Sequence, residues 1–390
     1  MKFHVALLSF IAIATAAQAQ ESASDTTKKR LKPLVEGGIA DKPFITTLAG
    51  RTSLGGYTEA VFLYEREAGV THEMTFEPRR LNLFTYSALS DRVTFFSEIE
   101  IEEGGEELRI ETAVVDFVIS EAFALRGGIL LSPLSKFNLS HDTPRNELND
   151  RPLVATDLIG VTLSEPGMGL FGSLYPFEQL RLTYELYAVN GYNDGLINES
   201  ALTRIPAGKP GLGADNNNRP AVVGRIAANL GKIDFGVSAH NGSYNVFEVD
   251  GRKVDEARSL RIVAMDAEWQ WRDLNLRGEF AAAEIEIPNS LSAIYADQQR
   301  GFYAQAAQRF GKGWFTLLPA SYWTGVVRLD QVDFDSDLEG DSHTRLSVGL
   351  NFRPIPDTVF KLDYHRDWLR DRFDTKVDAA GILFGMATYF

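Results

Sequence analysis

Apolar and polar residues alternate along most of the chain from Leu54 onward. In 93–102, Val93, Phe95, Ile99 and Ile101 share one parity, and Thr94, Glu98, Glu100 and Glu102 share the other. Successive side chains of a strand point to opposite faces, whereas a helix would mix these two sets, so the pattern predicts β-strand. Residues 180–187 separate Leu180, Leu182, Tyr184 and Leu186 from Arg181, Thr183 and Glu185 in the same way, and 222–230 and 345–352 repeat it. The stretch 108–119 changes phase midway, because Asp116 shares the parity of Leu108 and Ile110, and its inner face stays open.

The connections between these segments alternate in length. Short ones fall at 89–92, 120–122, 176–179, 231–232, 272–273, 311–313 and 354–357. Long ones fall near 66–74, 103–107, 134–166, 191–219, 241–258, 285–299, 333–344 and 366–376. A soluble sandwich has no reason to gather every long loop at one end. The expected fold is all-β: a transmembrane antiparallel β-barrel of about 16 strands, with short periplasmic turns and long outer loops. Strands of ~9–11 residues are enough to cross the hydrocarbon layer. The last segment, 381–390, is mostly apolar and ends on Tyr389 and Phe390, which looks like the terminal strand that barrels present to the barrel-assembly machinery.

The start of the chain fits that compartment. Lys2, an apolar run over 5–14 and the small-x-small residues Ala17, Gln18 and Ala19 make a three-part secretory signal over 1–19. Residues 20–50 are expected to be a flexible periplasmic lead-in, and 51–390 the barrel domain. The destination is the cell outer membrane of a Gram-negative bacterium, reached after signal cleavage. The chain has 390 residues, a net charge of −14 and no cysteine. The acidic balance argues against a sequence-independent nucleic-acid binder. The missing cysteine excludes disulfide scaffolds, thiolate zinc sites and cysteine nucleophiles.

A lumen can be read from parity. Arg126, Arg181, Arg225, Arg261 and Arg277 fall opposite their strands' most apolar faces and are expected inside. An Arg facing lipid at mid-depth would cost about 2–4 kcal/mol. Glu98, Glu100, Glu185 and Glu279 are expected on the same inner faces. Opposed charges in a lumen can make a transverse field that orients polar solutes, or they can simply neutralise one another across the wall.

Three segments carry a family resemblance: the paired arginines and strand of 79–84, the Gly-rich and Pro-containing run of 125–134, and the strand of 184–191 ending in Asn190 and Gly191. Together they resemble the bacterial sixteen-stranded porins related to the phosphate-selective porins O and P, best over the first half of the chain. The resemblance implies an outer-membrane porin, a homotrimer, and a water-filled channel for small hydrophilic solutes or ions, with anions such as phosphate among them. It also implies that the third long connection, 134–166, folds inward as a constriction loop. Lys136, Arg145 and Arg151 would then be constriction cations opposed by Asp142, Glu147 and Asp150. The competing reading leaves these residues outside, among lipid and lipopolysaccharide phosphates.

Other chemistry is thin. The carboxylates of 333–341 miss the EF-hand template, since Leu338 stands at its sixth position and Thr344 at its twelfth, so no metal or cofactor is expected. The runs Ser140, His141, Asp142 and Asp341, Ser342, His343 do not make a hydrolase triad by adjacency alone, because neighbours on a strand point apart. No enzyme is expected. The rival classes are a non-conducting barrel serving as adhesin or envelope scaffold and, behind it, a barrel hydrolase.

Overall fold

Period-two segments pair into one continuous wall. The computed structural model describes residues 34–35, 42–43, 46–48, 51–197, 202–213 and 215–390. The expected signal, 1–19, and most of the lead-in lie outside the described residues. Among the described residues sixteen long strands follow one another. They are β1 (Thr52–Glu67), β2 (Val70–Ala88), β3 (Val93–Glu102), β4 (Glu107–Ser120), β5 (Phe123–Leu131), β6 (Ser164–Phe177), β7 (Leu180–Val189) and β8 (Ala221–Leu230). Then come β9 (Ile233–Ser243), β10 (Ser259–Trp271), β11 (Leu274–Ile285), β12 (Gln298–Phe310), β13 (Tyr322–Asp333), β14 (Ser342–Ile355), β15 (Thr358–Arg370) and β16 (Lys376–Tyr389). Each pairs antiparallel with its sequence neighbours, and β16 pairs β1 from Ala379↔Glu67 to Tyr389↔Tyr57, closing the sheet. The short strand Thr46–Leu48 adds onto the start of β1.

Burial follows the alternation. On β16, Ile382, Phe384 and Met386 are exposed while Leu383 and Ala387 are buried. Val348 and Leu350 on β14 and Leu362 and Tyr364 on β15 extend that exposed apolar face. Soluble proteins rarely expose so continuous an apolar surface, and a lipid-facing barrel requires one. No helix among the described residues is long and apolar enough to cross a membrane.

Two bulges explain where simple parity breaks. In β4 the pairing steps from Glu98↔Thr112 to Ile99↔Ile110, so Glu111 is the extra residue and both Glu111 and Thr112 are buried. That resolves the phase change: Leu108 and Ile110 face out before the bulge, Val115 and Phe117 after it, and Asp116 faces in. In β2 the pairing steps from Glu59↔Arg80 to Val61↔Glu77, and the extra residues include Pro78 and Arg79. A bulge re-aims side chains, and here consecutive Arg79 and Arg80 both reach interior partners.

Three connections differ from expectation. The long loop expected near 66–74 is a tight turn at 68–69, because β1 and β2 run on as a hairpin to Glu67 and Val70. Ala68 and Gly69 both have positive φ (48° and 84°), the geometry that matches a two-residue turn to strand twist. The connection near 103–107 is likewise only a helical turn, Glu103–Gly105. Conversely the short turn expected at 311–313 extends over 311–321 and carries the exposed Trp314 and Leu317. Phe315 there packs edge-on against Phe352, with centroids 5.6 Å apart.

Candidate functional site within the barrel

The site is built by the connection between β5 and β6, residues 132–163, which begins two residues before and ends three residues before the expected 134–166. Side chains from many strands hold its backbone. Ser238 Oγ accepts from Ser135 N at 3.0 Å and Glu279 from Phe137 N at 2.7 Å. Asp330 accepts from Leu153 N at 3.1 Å. Lys361 Nζ donates to the carbonyls of Thr143 (2.9 Å) and Leu148 (3.1 Å), and Arg353 Nη1 to that of Pro144 (2.7 Å). Arg328 donates to the carbonyls of Asp150 and Arg151 at 3.0 and 3.2 Å. Irregular backbone away from bulk water needs such partners, and these strands supply them from their inner faces.

Local sequence shapes the loop itself. Ser135 caps the one-turn helix α1 (Lys136–Leu139) by accepting from Asn138 N. Asn138 then staples both loop ends: Nδ2 donates to the carbonyls of Ser132 (2.8 Å) and Leu163 (3.1 Å), and Oδ1 accepts from Leu163 N (2.8 Å). Val154, Leu158 and Ile159 join a buried apolar cluster with Leu260, Ile262, Ala264, Ala281, Ala283, Ile285 and Val332 of the wall.

That cluster overturns one expectation. Leu260, Ile262 and Ala264 are the apolar parity of β10 and were expected to face lipid, which put Arg261 in the lumen. They face inward because the loop offers them an apolar partner. Arg261 therefore stands on the outer face near the strand end, exposed and 3.3 Å from Glu284. Near an interface an outward Arg costs only about 0–1 kcal/mol.

The other wall candidates are interior and paired. Arg126 holds Asp116 through two bonds (2.7 and 2.8 Å) and lies 4.4 Å from the Phe171 centroid. Arg225 binds both oxygens of Asp266, Arg181 donates to Ser173, and Arg277 meets the Gln305 side-chain oxygen at 3.0 Å. Glu185 accepts from the Tyr187 hydroxyl at 2.8 Å. Glu100 lies 3.1 Å from Arg80, and Glu98 takes Lys42 at 2.7 Å.

Four loop charges, Lys136, Asp142, Glu147 and Asp150, have partners outside the loop. Lys136 Nζ sits between Asp234 (2.9 Å) and Glu268 (2.8 Å), which hold its ammonium above the usual range despite burial. Asp142 accepts from Lys42 (2.6 Å) and the Tyr389 hydroxyl (2.8 Å). Glu147 accepts from Asn351 at 2.8 Å and lies 3.5 Å from Arg353. Asp150 lies between Arg345 (3.1 Å) and Arg79 (3.3 Å); burial opposes its ionisation, but these guanidiniums hold it below the usual carboxylate range. Arg145 is exposed on the loop. Nε and Nη2 of Arg151 are buried with no hydrogen-bond partner, and burial together with nearby Arg80 lowers its pKa. For Lys136 and Arg151 the expected opposition to Asp142, Glu147 and Asp150 is thus not what the geometry brings together.

No triad forms around His141. Its Nδ1 donates to Asn138 O at 2.8 Å, and Nε2 lies 2.8 Å from Glu111 Oε1. Burial, then Arg151, pushes the imidazole down to about 4. Among the described residues no group of three or more His, Cys, Asp or Glu is placed to hold a metal ion.

Several interior residues escaped the sequence reading. Lys42, expected in a flexible lead-in, is buried against Glu98 and Asp142. Arg345, Arg353, Lys361, Asp363, His365 and Asp367 line the inner parity of β14 and β15, a signal that was present in the alternation. Glycines on inner faces make the bed of the loop: a Cβ on Gly349 would come within 2.6 Å of Asp363 and 2.8 Å of Leu148, and one on Gly385 would collide with Asn149.

No protein-family model matches the chain. A curated protein of Aquifex aeolicus (strain VF5) is 26% identical over 363 residues, spanning 85% of this chain and 79% of its own; its description, "Uncharacterized protein", assigns no activity. Among solved structures, an anion-selective porin from Comamonas acidovorans superposes with a TM-score of 0.57 at 12% identity, over 87% of this chain and 99% of that one. The outer membrane channel DcaP of Acinetobacter baumannii gives 0.56 at 13% identity, over 88% and 99%. OprB of Pseudomonas putida gives 0.57 at 10%, over 87% and 94%. The fold is that of the outer-membrane porins, a closed sixteen-stranded antiparallel barrel.

Proposed function

We propose that the chain is an outer-membrane porin: a water-filled channel for passive diffusion of small hydrophilic solutes or ions, narrowed by residues 132–163. The observation that carries this reading is the loop itself, tied to inner side chains of β9, β11, β13, β14 and β15 inside a closed wall. A scaffold has no need of such a loop, whereas a pore needs one to set diameter and field. Interior charges of both signs, largely paired, favour weak ion selectivity over strong phosphate preference. The two neighbours described as an anion-selective porin and an outer membrane channel are consistent with conduction. Cleavage of the signal, assembly through the last strand, association with lipopolysaccharide and a homotrimer belong to the same proposal.

Planar-bilayer recording under a KCl gradient tests it. Discrete conductance steps are expected, with a small reversal potential and little block by added phosphate. Absence of steps from correctly folded protein would overturn the reading. It would favour the non-conducting barrel, for which burial of Lys42 and Val35 inside the wall is the supporting observation.

A further inference from the structure

One tie between loop and wall differs from the rest in being a histidine held by two carboxylates. His343, on the inner parity of β14, places Nε2 2.8 Å from Asp367 Oδ1 and Nδ1 3.3 Å from Asp157 Oδ2. Asp367 belongs to β15 and Asp157 to the loop's helical segment Val154–Ile159. An imidazole donates from both nitrogens only when it carries both protons, so this arrangement is that of an imidazolium bridging wall and loop. A cavity of about 870 Å³ reaches His343 and Asp157 and gives the bridge access to solvent.

The surrounding charges make that proton consequential. Asp367 is also held by Arg345 Nε at 2.5 Å, and His365 Nδ1 lies 2.8 Å from it. His365 in turn lies 3.6 Å from Glu65 of β1, and Arg345 reaches Asp150 of the loop. Glu67, Arg204, Asp341 and Asp371 rim the same cavity, with Arg370 and Arg372 beside them. Arg204 is already bound to Asp341. Asp157, by contrast, has Thr156 Oγ1 (2.7 Å) as its other bond.

We propose that His343 is a positioning residue, a proton-dependent clasp that fixes the second half of the loop to the wall through Asp157. When the imidazolium gives one proton to solvent, the neutral ring keeps its shorter bond to Asp367, which Arg345 also supports. Its Nδ1 lone pair then faces the Asp157 carboxylate, and attraction becomes repulsion. The clasp is closed at acidic pH and opens as pH rises through the titration of the imidazolium. The inference rests on the loop-narrowed channel proposed above, and its test must separate the two.

Two readouts do so. The first is single-channel conductance from about pH 5 to about pH 9, a range that brackets the histidine titration. The second needs no conduction: the alkylation rate of Ala155→Cys, two residues from Asp157 in a chain without native cysteine, divided at each pH by the rate of a free thiol because only the thiolate reacts. The native bridge should show a step to higher conductance, and alkylation about tenfold faster, on the alkaline side. His343→Gln should remove both steps and stay in the alkaline state, and Asp157→Asn should do the same. His343→Lys, charged throughout, should stay in the acidic state. His365→Gln should keep the steps with a shifted midpoint, and so should His72→Gln, because His72 lines a second, smaller cavity with His343, His365 and Glu65. An alkylation step without conduction would sink the porin reading and keep the clasp. Steps that persist in His343→Gln, or that vanish in His365→Gln alone, would overturn the clasp.

Discussion

Single residues inside this barrel act mostly by answering another residue's charge or by leaving room. Lys42 does the first: its ammonium is buried 2.7 Å from Glu98 and 2.6 Å from Asp142, with Phe84 5.3 Å away. Removing one member of a buried ion group strands the others without water or partner. Lys42→Met should therefore lower the free energy of urea unfolding in lipid vesicles by about 3–5 kcal/mol. Adding Glu98→Gln and Asp142→Asn should recover much of that loss, and no recovery would mean that packing, not charge, is what Lys42 supplies. The residue scale is also where sequence reading succeeds and fails most clearly. Arg181 was legible because β7 sets Leu180, Leu182, Tyr184 and Leu186 on one parity and Arg181, Thr183 and Glu185 on the other. Arg261 was not, because both parities of β10 carry apolar residues and only the loop decides which faces in. Arg79 was invisible for a different reason, since a bulge at Pro78 turns it inward against strict alternation.

At the level of elements, the loop of residues 132–163 depends on glycine in strands it does not belong to. Gly385 of β16 faces Asn149, whose backbone N and side chain both bond Asp363. A side chain at 385 has no space while that bond stands. Gly385→Val should push the loop off β15 and β16 and raise single-channel conductance, on the order of a doubling if this stretch narrows the pore. Unchanged conductance, with the barrel still heat-modifiable on a gel, would place the narrowest point elsewhere. The hairpin between β1 and β2 carries a related lesson. The residues 66–74 read as a long polar loop, yet they continue as strand, and the cross-strand pair Phe62 and Phe76 packs on the outer face with rings tilted by 50° and centroids 4.9 Å apart. Strand existence and order were thus readable from period and turn signals, whereas strand length was set by cross-strand pairs that one sequence does not reveal.

For the molecule as a whole, the net charge of −14 describes no single surface. Acidic and basic groups meet in pairs across the interior, and the outer band carries almost none. The seam between β1 and β16 holds this arrangement shut, and it is joined to the loop directly, since the Tyr389 hydroxyl donates to Asp142. Tyr389→Phe removes that one bond. It should cost about 1–2 kcal/mol and slow the appearance of the compact, heat-modifiable band during refolding into vesicles. A refolding rate equal to that of the native chain would mean the seam closes without help from the loop. Residues 132–163 are bonded to strands on both sides of that seam, to Glu59 of β1 through Thr143 and to Lys361 and Asp363 of β15 through Thr143, Leu148 and Asn149. The loop is therefore a lacing drawn across the closure, holding the first and last strands together from within as their own ladder holds them edge to edge.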